Sequence, residues 1–285
     1  MVLSIERVGV VGGGLMGSGI AEVCAKVGAD VIVHEISPEA AEAAMARIDK
    51  SLSRAVERGK LDRAAADEIK ARITITTNFA EQADRQIVIE AATENEELKK
   101  KLFSDLDEVV SDRDAILASN TSSIPLTRLA AVTQRPGHVV GMHFFNPVPV
   151  MALVELVTTV QTDPSVADRA QAFAESLGKT VVRAKDRAGF IVNMLLIPYM
   201  LAAIRMYEAG VASKEDIDTA MRLGANYPMG PLELADFVGL DTTKYVADVL
   251  YEEYKEPLYA SPPLLSRMVE AGLLGKKTGR GFYDH

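Results

Sequence analysis

The fold is decided by a stretch near the start of the chain, which reads Val8-Gly9-Val10-Val11-Gly12-Gly13-Gly14-Leu15-Met16-Gly17. A short β-branched run ends at Gly12, and an apolar pattern with helical spacing continues from Gly17 to about Val27. Strand, glycine turn and helix are therefore predicted in immediate succession. Gly12 allows the tight turn, Gly14 lets a ligand approach the backbone, and Gly17 lets the helix pack closely on the strand.

A glycine turn that opens a helix is typical of sites for the pyrophosphate of a dinucleotide, because free N–H groups and the helix dipole favour negative charge. A second predicted strand leads to Glu35. A carboxylate there accepts hydrogen bonds from the ribose hydroxyls of NAD and repels the 2′-phosphate of NADP. Ile36, Ser37 and Pro38 follow and include no arginine that would offset this repulsion. The turn therefore predicts NAD as the cofactor, with NADP, FAD and a turn used only for packing as weaker alternatives.

The chain of 285 residues is 48% hydrophobic and 25% charged, as is typical of a globular protein with one large or two moderate domains. Its formal net charge of −9 argues against nucleic-acid binding, which needs clustered Lys and Arg. The sequence contains no apparent signal peptide and no apolar run of ~18 residues for a membrane span, so we expect a cytoplasmic protein. The single cysteine, Cys24, lies in an apolar helical pattern and is interpreted as a core residue.

Residues 1–186 alternate short β-branched runs with longer amphipathic stretches, a pattern typical of a mostly parallel sheet covered by helices. The predicted strands are residues 7–11, 31–34, 73–76, 87–90, 115–118, 139–142, 153–157 and 180–182. Two helices are expected between residues 37 and 72, the first beginning at Pro38. The predicted fold class is α/β, with a Rossmann-type NAD-binding domain over residues 1–186.

Residues 187–285 lack strand patterns and read as helices separated by glycine and proline, which predicts an all-helical C-terminal domain. The segment between Ile191 and Ile204 is more apolar than a helix covering a sheet requires. Two interpretations remain open for this surface: packing within the domain, or part of a dimer interface.

Two polar stretches follow predicted strands at the end of the sheet where open α/β folds bind ligands. The first is Ser119-Asn120-Thr121-Ser122-Ser123, and the second begins at His143 and continues as Phe144-Phe145-Asn146-Pro147-Val148-Pro149. Taken alone, the first stretch is equally typical of a helix-capping loop, and a single histidine is more often structural than catalytic.

Glu155 changes this balance, because it lies in an otherwise apolar strand pattern where an unpaired buried carboxylate is costly. A turn at residues 146–149 would fold this strand back beside the strand that ends at His143. The carboxylate then favours the charged imidazolium and fixes the tautomer of the ring. Such a base takes the hydroxyl proton of a secondary alcohol while a hydride leaves for a nicotinamide.

Six motifs run through the whole chain: Gly12-Gly13-Gly14-Leu15-Met16-Gly17, Ser119-Asn120-Thr121-Ser122-Ser123, His143-Phe144-Phe145-Asn146-Pro147-Val148-Pro149, Gly189-Phe190-Ile191-Val192-Asn193, Tyr227-Pro228-Met229-Gly230-Pro231 and Gly275-Lys276-Lys277-Thr278-Gly279-Arg280-Gly281-Phe282-Tyr283. In order and spacing this series resembles the L-3-hydroxyacyl-CoA dehydrogenases. The resemblance implies reversible oxidation of an (S)-3-hydroxyacyl-CoA to the 3-ketoacyl-CoA with NAD.

The resemblance also implies roles for individual residues. His143 is implied to be the general base, and Glu155 to orient its ring and favour its charged form. The active site is implied to lie in a cleft between the domains. Ser122 and Asn193 contact the reacting oxygen or the thioester end of the substrate. The implied cofactor contacts are Gly12, Gly14, Leu15, Met16, Gly17, Glu35, Glu94, Lys99, Ser122, Asn146 and Lys277. No metal is implied.

Coenzyme A contacts are implied on the helix after the second strand. Ser51 matches a family serine, Arg58 replaces a family lysine, and Lys50 and Arg54 are further candidates for binding a phosphate. Without the resemblance, the same run reads as a solvated helix face.

The short chain resembles bacterial members that act on four-carbon substrates, which implies 3-hydroxybutyryl-CoA as substrate, acetoacetyl-CoA as product and a homodimer formed through the C-terminal domain. Two rival functions are kept. One is a 6-phosphogluconate or 3-hydroxyisobutyrate type dehydrogenase, which shares the turn and the helical second domain. The other is a non-catalytic relative that binds NAD.

Overall fold

A computed structural model describes residues 5–285. The chain divides into two compact units, and the division falls between Asp186 and Arg187.

The first unit is built on an eight-stranded sheet with the order β3-β2-β1-β4-β5-β6-β7-β8, counted over the described residues. The strands are β1 (Arg7–Val11), β2 (Asp30–His34), β3 (Ile73–Thr76), β4 (Ile87–Glu90), β5 (Ile116–Ser119), β6 (Val139–Phe144), β7 (Leu153–Thr158) and β8 (Thr180–Lys185). The first six are parallel, whereas β7 runs antiparallel to β6 and β8 pairs parallel to β7. The α/β fold and the mostly parallel sheet are confirmed.

Every predicted strand is present, but several boundaries differ. Strand β5 extends to Ser119, one residue beyond the prediction, because Ser119 still pairs with Gly141 of β6. Strand β6 continues through Phe144 because its pairing with β7 persists to that residue. The sheet ladder, and not the loss of the β-branched pattern, therefore sets where these strands end.

The helices of the first unit are α1 (Leu15–Lys26), α2 (Pro38–Glu57), α3 (Arg63–Ala71), α4 (Glu96–Val109), α5 (Leu126–Ala130) and α6 (Pro164–Ser176). The two helices expected between residues 37 and 72 are confirmed as α2 and α3. Helix α2 begins at Pro38, and Ser37 Oγ accepts a hydrogen bond from the Ala40 N–H at 3.2 Å. Proline at the first helical position and serine as the cap are both favoured by local chemistry.

Cys24 on α1 is completely buried in the core that joins α1 to the sheet. Burial raises the pKa of its thiol to about 12, because the thiolate would lose its hydration. The interpretation of Cys24 as a core residue is confirmed.

The second unit is helical, as predicted. Its helices are α7 (Val192–Glu208), α8 (Lys214–Gly224), α9 (Pro231–Val238), α10 (Leu240–Tyr254) and α11 (Pro263–Glu270). Two buried carboxylates organise it. Asp218 accepts from the Leu232 N–H at 2.8 Å at the start of α9, and Asp236 accepts from the Phe282 N–H at 2.9 Å. Across residues 5–285, no helix is both long and apolar enough to span a membrane.

Candidate active site

The glycine turn between β1 and α1 has the geometry that the sequence predicts. Gly12 has φ +93°, a left-handed conformation that favours glycine. A Cβ on Gly17 would lie 1.7 Å from the Gly12 carbonyl oxygen, so the helix packs directly on the turn. A Cβ on Gly14 would meet no atom within 4 Å, so the backbone there faces open space. The turn therefore fits the pyrophosphate of a dinucleotide, whose oxygens must approach the backbone closely.

Gly13 is a further requirement of the turn that the sequence analysis missed. A Cβ at this position would lie 2.5 Å from Ala44 Cβ on α2 and 3.2 Å from Glu35 Oε1. The Gly13 N–H donates to Glu35 Oε1 at 2.6 Å, and Glu35 Oε2 accepts from the Ile36 N–H at 3.2 Å. Glu35 therefore lies beside the turn, where a carboxylate that reads the cofactor ribose is expected.

The loops after β4 and β5 are held together by buried polar side chains. Glu90 ends β4 and is fully buried; its Oε1 accepts from Lys99 Nζ at 2.5 Å and from the Ala92 N–H at 2.7 Å. Its Oε2 accepts from Ser119 Oγ at 2.6 Å. Lys99 is only 1% exposed, so both buried charges are paired and hydrogen-bonded. This pair fixes the carboxyl ends of two neighbouring strands relative to each other.

Glu94 joins the same network. Its Oε1 accepts hydrogen bonds from Thr121 Oγ1, from the Ser122 N–H at 3.0 Å and from Ser123 Oγ at 3.0 Å, while its Oε2 lies 3.3 Å from Lys99 Nζ. Burial by itself raises the pKa of Glu94, but Lys99 and these donors outweigh burial and lower the pKa below its usual value. The ionised carboxylate anchors the main chain of Ser122.

The interpretation of residues 119–123 as a helix cap is wrong. Helix α5 begins later, and its Leu126 and Thr127 N–H groups donate to the two carboxylate oxygens of Asp186 at 2.9 and 2.7 Å. The hydroxyl of Thr121 instead accepts from the Ile124 N–H at 3.0 Å within the loop. The polar side chains of this stretch therefore form contacts among the loops at the end of the sheet and do not cap a helix.

His143 and Glu155 form the pair that the sequence predicts. They are opposite each other in the antiparallel ladder between β6 and β7, and His143 Nδ1 lies 2.7 Å from Glu155 Oε2. The His143 side chain is 8% exposed and the Glu155 side chain 1% exposed. A buried carboxylate at this distance stabilises the imidazolium and fixes which ring nitrogen carries a proton in the neutral form.

The surroundings of His143 connect it to the neighbouring loops. The Phe145 ring centroid lies 4.5 Å from that of the imidazole. The Phe144 N–H donates to Asn120 Oδ1 at 2.9 Å, so the loop after β5 is tied to the end of β6. Asn146 is exposed and precedes Pro147 in a cis peptide bond.

A groove of about 1040 Å³ runs between α1, α2 and the loop that follows β6. Seven cationic side chains and one carboxylate line it, although the whole chain has a net charge of −9. The cationic residues are Lys26, Arg47, Lys50, Arg54, Arg58, Lys60 and Lys179. Ser51 lies in the same wall, so all four predicted coenzyme A contacts, three on α2 and Arg58 directly after it, line one groove. Its other end is lined by residues 146–152, directly after the strand that carries His143.

The carboxylate in the groove is Glu22 on α1, which is 6% exposed. Burial raises its pKa, and a hydrogen bond with Ser51 and the charge of Lys26 oppose this effect only in part. Lys179 is also buried, and its ammonium donates to the Val148 and Met151 carbonyl oxygens at 2.6 and 2.8 Å. Lys179 therefore holds the loop after β6, whereas the other six cations of the groove are exposed.

Asn193 and Lys277 belong to the second unit. Asn193 is partly buried in the first turn of α7, after a turn in which Gly189 and Phe190 both have positive φ values. Lys277 is exposed, and its ammonium forms an ion pair with Asp241 at the start of α10. The predicted cofactor and catalytic residues of the first unit thus lie around the carboxyl ends of β1, β2, β4, β5 and β6, whereas the predicted coenzyme A residues lie along α2 and at its end.

Glu90 and Arg47 are site residues that the sequence analysis missed. Glu90 carries the same signal as Glu155, a carboxylate in an apolar strand pattern, and that signal is sufficient to find it. Arg47 lies on an exposed helix face and donates to the Gly13 carbonyl oxygen at 3.2 Å. Nothing in the local sequence distinguishes it from its neighbours.

Comparison with known proteins identifies the family. Residues 7–187 match the family model for the NAD-binding domain of 3-hydroxyacyl-CoA dehydrogenase, and residues 189–285 match the model for its C-terminal domain. The chain belongs to the 3-hydroxyacyl-CoA dehydrogenase family. The first unit is therefore an NAD-binding domain, and the rival assignment to the 6-phosphogluconate or 3-hydroxyisobutyrate type is excluded.

Individual members of the 3-hydroxyacyl-CoA dehydrogenase family are similar over their full length. The chain is 56% identical over 283 residues to the 3-hydroxybutyryl-CoA dehydrogenase of Mycobacterium tuberculosis, covering 99% of each. It is 43% identical to the human mitochondrial hydroxyacyl-coenzyme A dehydrogenase, covering 99% of this chain and 91% of the relative. The crystal structure of (S)-3-hydroxybutyryl-CoA dehydrogenase from Ralstonia eutropha matches with a TM-score of 0.95 at 46% identity, covering 99% of each chain.

Proposed function

We propose that the protein is an NAD-dependent dehydrogenase that reversibly oxidises (S)-3-hydroxybutyryl-CoA to acetoacetyl-CoA. The observation that carries this proposal is the buried His143–Glu155 pair, with Nδ1 and Oε2 at 2.7 Å, at the carboxyl end of the same sheet whose strand β1 leads into the glycine turn. A dinucleotide site alone requires no base. Alcohol oxidation needs a base, and here a base paired with a buried carboxylate lies at the same end of the sheet as the dinucleotide site.

In the proposed mechanism, His143 removes the proton of the 3-hydroxyl group. Glu155 holds Nδ1 in its protonated form, so Nε2 is the nitrogen that exchanges the substrate proton. As the imidazole becomes charged, the carboxylate stabilises it in a site with little water. In the reverse direction the imidazolium returns the proton to the oxygen of the 3-ketone. The strand ladder between β6 and β7 keeps both groups in register throughout.

Ser122 and Asn193 are proposed to orient the substrate at its reacting oxygen or thioester. Support for Ser122 comes from its loop, whose main chain is fixed by the ionised Glu94. A hydroxyl on a rigid loop donates a hydrogen bond to an alkoxide-like oxygen without first reorganising. The role of Asn193 follows the resemblance to the family.

Residues 12–17 and Glu35 are proposed to hold the pyrophosphate and the ribose of NAD. Bound NAD supplies the acceptor for the hydride that leaves the substrate carbon. Glu94, Lys99, Asn146 and Lys277 are the further proposed cofactor residues. Because Lys99 is buried between Glu90 and Glu94, its contribution in the first unit is to fix the Glu94 carboxylate.

Coenzyme A is proposed to occupy the cationic groove. Lys50, Ser51, Arg54 and Arg58 offer donors for its phosphates, and phosphate groups are strong partners for Arg and Lys. The groove leads from these residues to the loop after His143. A thioester tail that follows the groove therefore runs toward the base, which is the direction a 3-hydroxyacyl group requires.

The four-carbon acyl chain is proposed from the relatives, because the M. tuberculosis and R. eutropha proteins are both named 3-hydroxybutyryl-CoA dehydrogenases. The experiment is a steady-state assay of NADH oxidation with 3-ketoacyl-CoA substrates of increasing length. The highest kcat/KM is expected for acetoacetyl-CoA, and a clear preference for a longer chain contradicts the four-carbon assignment.

The same assay separates the enzyme from a non-catalytic relative that only binds NAD. Wild type is expected to oxidise NADH with acetoacetyl-CoA. His143→Gln is expected to lose several orders of magnitude in kcat while it binds NADH like wild type, because the ring lies at the reacting end of the site. Folded wild-type protein that binds NADH without oxidising it contradicts the proposed activity.

Glu35 is proposed to discriminate NAD from NADP. Replacing it with Gln removes the charge that repels a 2′-phosphate but keeps an acceptor for the Gly13 N–H. The ratio of kcat/KM for NADH over NADPH is expected to fall by about fivefold or more, since one repelled charge pair is worth at least about 1 kcal/mol. An unchanged ratio shows that Glu35 does not distinguish the ribose 2′-hydroxyl of NAD from the 2′-phosphate of NADP.

We further propose that the enzyme acts in the cytoplasm as a homodimer formed through its second unit. The support is an apolar surface on α7, where Leu195 is 70% exposed and Met206 is 44% exposed. Light scattering after size-exclusion chromatography measures the mass directly. A dimer is expected for wild type and a shift toward monomer for Leu195→Glu.

A further inference from the structure

Arg47 lies where the cationic groove meets the glycine turn. It is on the third turn of α2, between Ala44, which packs on Gly13, and the cations Lys50 and Arg54. Its Nη1 donates to the Gly13 carbonyl oxygen at 3.2 Å, and its side chain lines the groove. One side chain of the first unit therefore touches the turn and the groove at the same time.

Both main-chain polar groups of Gly13 are held by side chains. Its N–H donates to Glu35 Oε1 at 2.6 Å, and its carbonyl oxygen accepts from Ser18 Oγ at 2.7 Å and from Arg47 Nη1. Because Gly13 precedes the open backbone of Gly14, a shift of Gly13 changes the surface offered to the pyrophosphate. Ser18 also lines the groove but is only 4% exposed, so Arg47 is the exposed side chain that contacts Gly13 within reach of a ligand in the groove.

We propose that Arg47 is a shared anion contact that couples binding of the acyl-CoA to binding of NAD. The proposal rests on the proposed function, because it takes coenzyme A as the groove's ligand. A guanidinium has five N–H donors in a fixed fork. In the described part of the chain, the Arg47 guanidinium donates only to the Gly13 carbonyl oxygen. Its other N–H donors therefore remain for a phosphate that binds in the groove.

The expected sign of the coupling is positive. Arg47 is exposed and loses rotamer freedom when it binds a phosphate. Once an acyl-CoA phosphate has fixed the guanidinium over the turn, NAD binds to a peptide that is already held in place and meets a smaller ordering cost. Since coupling is reciprocal, NAD strengthens acyl-CoA binding by the same factor.

Arg54 provides a matched control. It lines the same groove two helical turns further along α2 and carries the same charge, but its side chain has no hydrogen bond to the glycine turn. Arg47→Gln and Arg54→Gln therefore remove equal charge from the groove. They differ in whether the lost group touches Gly13.

The experiment is calorimetric titration of NAD into the protein with and without saturating acetoacetyl-CoA. Both ligands are in the oxidised state, so no turnover occurs during the measurement. For wild type, acetoacetyl-CoA is expected to tighten NAD binding by about fivefold, the lower end of typical coupling between two sites. In Arg47→Gln the factor is expected to fall close to one, whereas Arg54→Gln weakens acetoacetyl-CoA binding and keeps the wild-type factor.

The outcomes are distinct. A wild-type coupling factor in Arg47→Gln overturns the inference, as does acetoacetyl-CoA binding to wild type with no effect on NAD. An equal loss of coupling in Arg54→Gln also overturns it, because general charge and not the contact with Gly13 is then responsible. If wild type binds NAD but no acetoacetyl-CoA at any concentration, the proposed function fails as well. Melting temperatures of both variants check that α2 remains folded.

Discussion

Glu155→Gln is the substitution that tests the proposed base most directly. It keeps the size and hydrogen-bonding shape of the side chain but removes the negative charge beside His143. The Nδ1–Oε2 distance of 2.7 Å and the burial of both side chains mean that water replaces little of the lost interaction. The substitution therefore measures how much the carboxylate stabilises the charged imidazolium.

The magnitude follows from the geometry. With these atoms in contact, the centres of the two charges are about 4 Å apart, and their attraction is about 4 kcal/mol at an effective dielectric constant of ~20. In the direction of alcohol oxidation, the imidazolium forms only as His143 takes the substrate proton, so the lost stabilisation raises the barrier. A loss of 4 kcal/mol corresponds to about a 10³-fold decrease in kcat.

The assay is reduction of NAD with saturating (S)-3-hydroxybutyryl-CoA, followed by the absorbance of the NADH formed, together with direct titration of NADH. We expect kcat to fall by about 10³-fold while the Kd for NADH stays within a factor of two, because Glu155 lies in the β6–β7 ladder and not in the glycine turn. Glu175→Gln on the exposed end of α6 is the matched control and should change neither value. A kcat for Glu155→Gln within tenfold of wild type refutes the electrostatic role.

Three further predictions concern the packing of the NAD-binding domain. Gly13→Ala should lower the unfolding free energy by about 2 kcal/mol in chemical denaturation, since its Cβ would lie 2.5 Å from Ala44 Cβ. Gly14→Ala should leave the unfolding free energy unchanged and weaken NADH binding. Equal effects of the two substitutions on stability and on NADH binding contradict the assigned roles. Glu22→Gln should stabilise the protein by about 1 kcal/mol at pH 7. Because burial raises the pKa of Glu22, its contribution to stability falls as the pH rises through the usual range of a glutamate, and the variant should lose that dependence. Cys24 should not react with a thiol reagent at pH 8 until the protein unfolds, since its pKa is raised to about 12, and rapid labelling of the native protein is the contrary result.

The polar network at the end of β4 and β5 shows how the fold supports the site. Glu90 and Lys99 are buried charges that touch no expected substrate group, yet they fix the loop that carries Glu94. Glu94 in turn holds the Ser122 N–H. The buried charged side chains thus position the loop residues at the end of the sheet. Removing one member of the buried pair would leave the other charge buried and unpaired.

The sequence by itself determined the local structure and predicted the pair on which the proposed chemistry depends. Strand, glycine turn and helix follow from periodicity and from the conformational freedom of Gly12, which acts within a few residues. The pairing of His143 with Glu155 was also predictable, because a carboxylate in an apolar strand needs a partner and the intervening turn left one strand for it to reach. The strand ends shifted where the ladder continued, and β5 begins one residue later than predicted, at Ile116.

Only the tertiary structure decided which residues from distant elements meet. Gly13 is required because α2 brings Ala44 against it, and Arg47 reaches the turn because α2 crosses that turn at the correct distance. Neither contact leaves a trace in the local pattern, since an exposed arginine and a third glycine look like their neighbours in sequence. Periodicity encodes which face of an element is buried, whereas the approach of one element to another depends on how all side chains pack together.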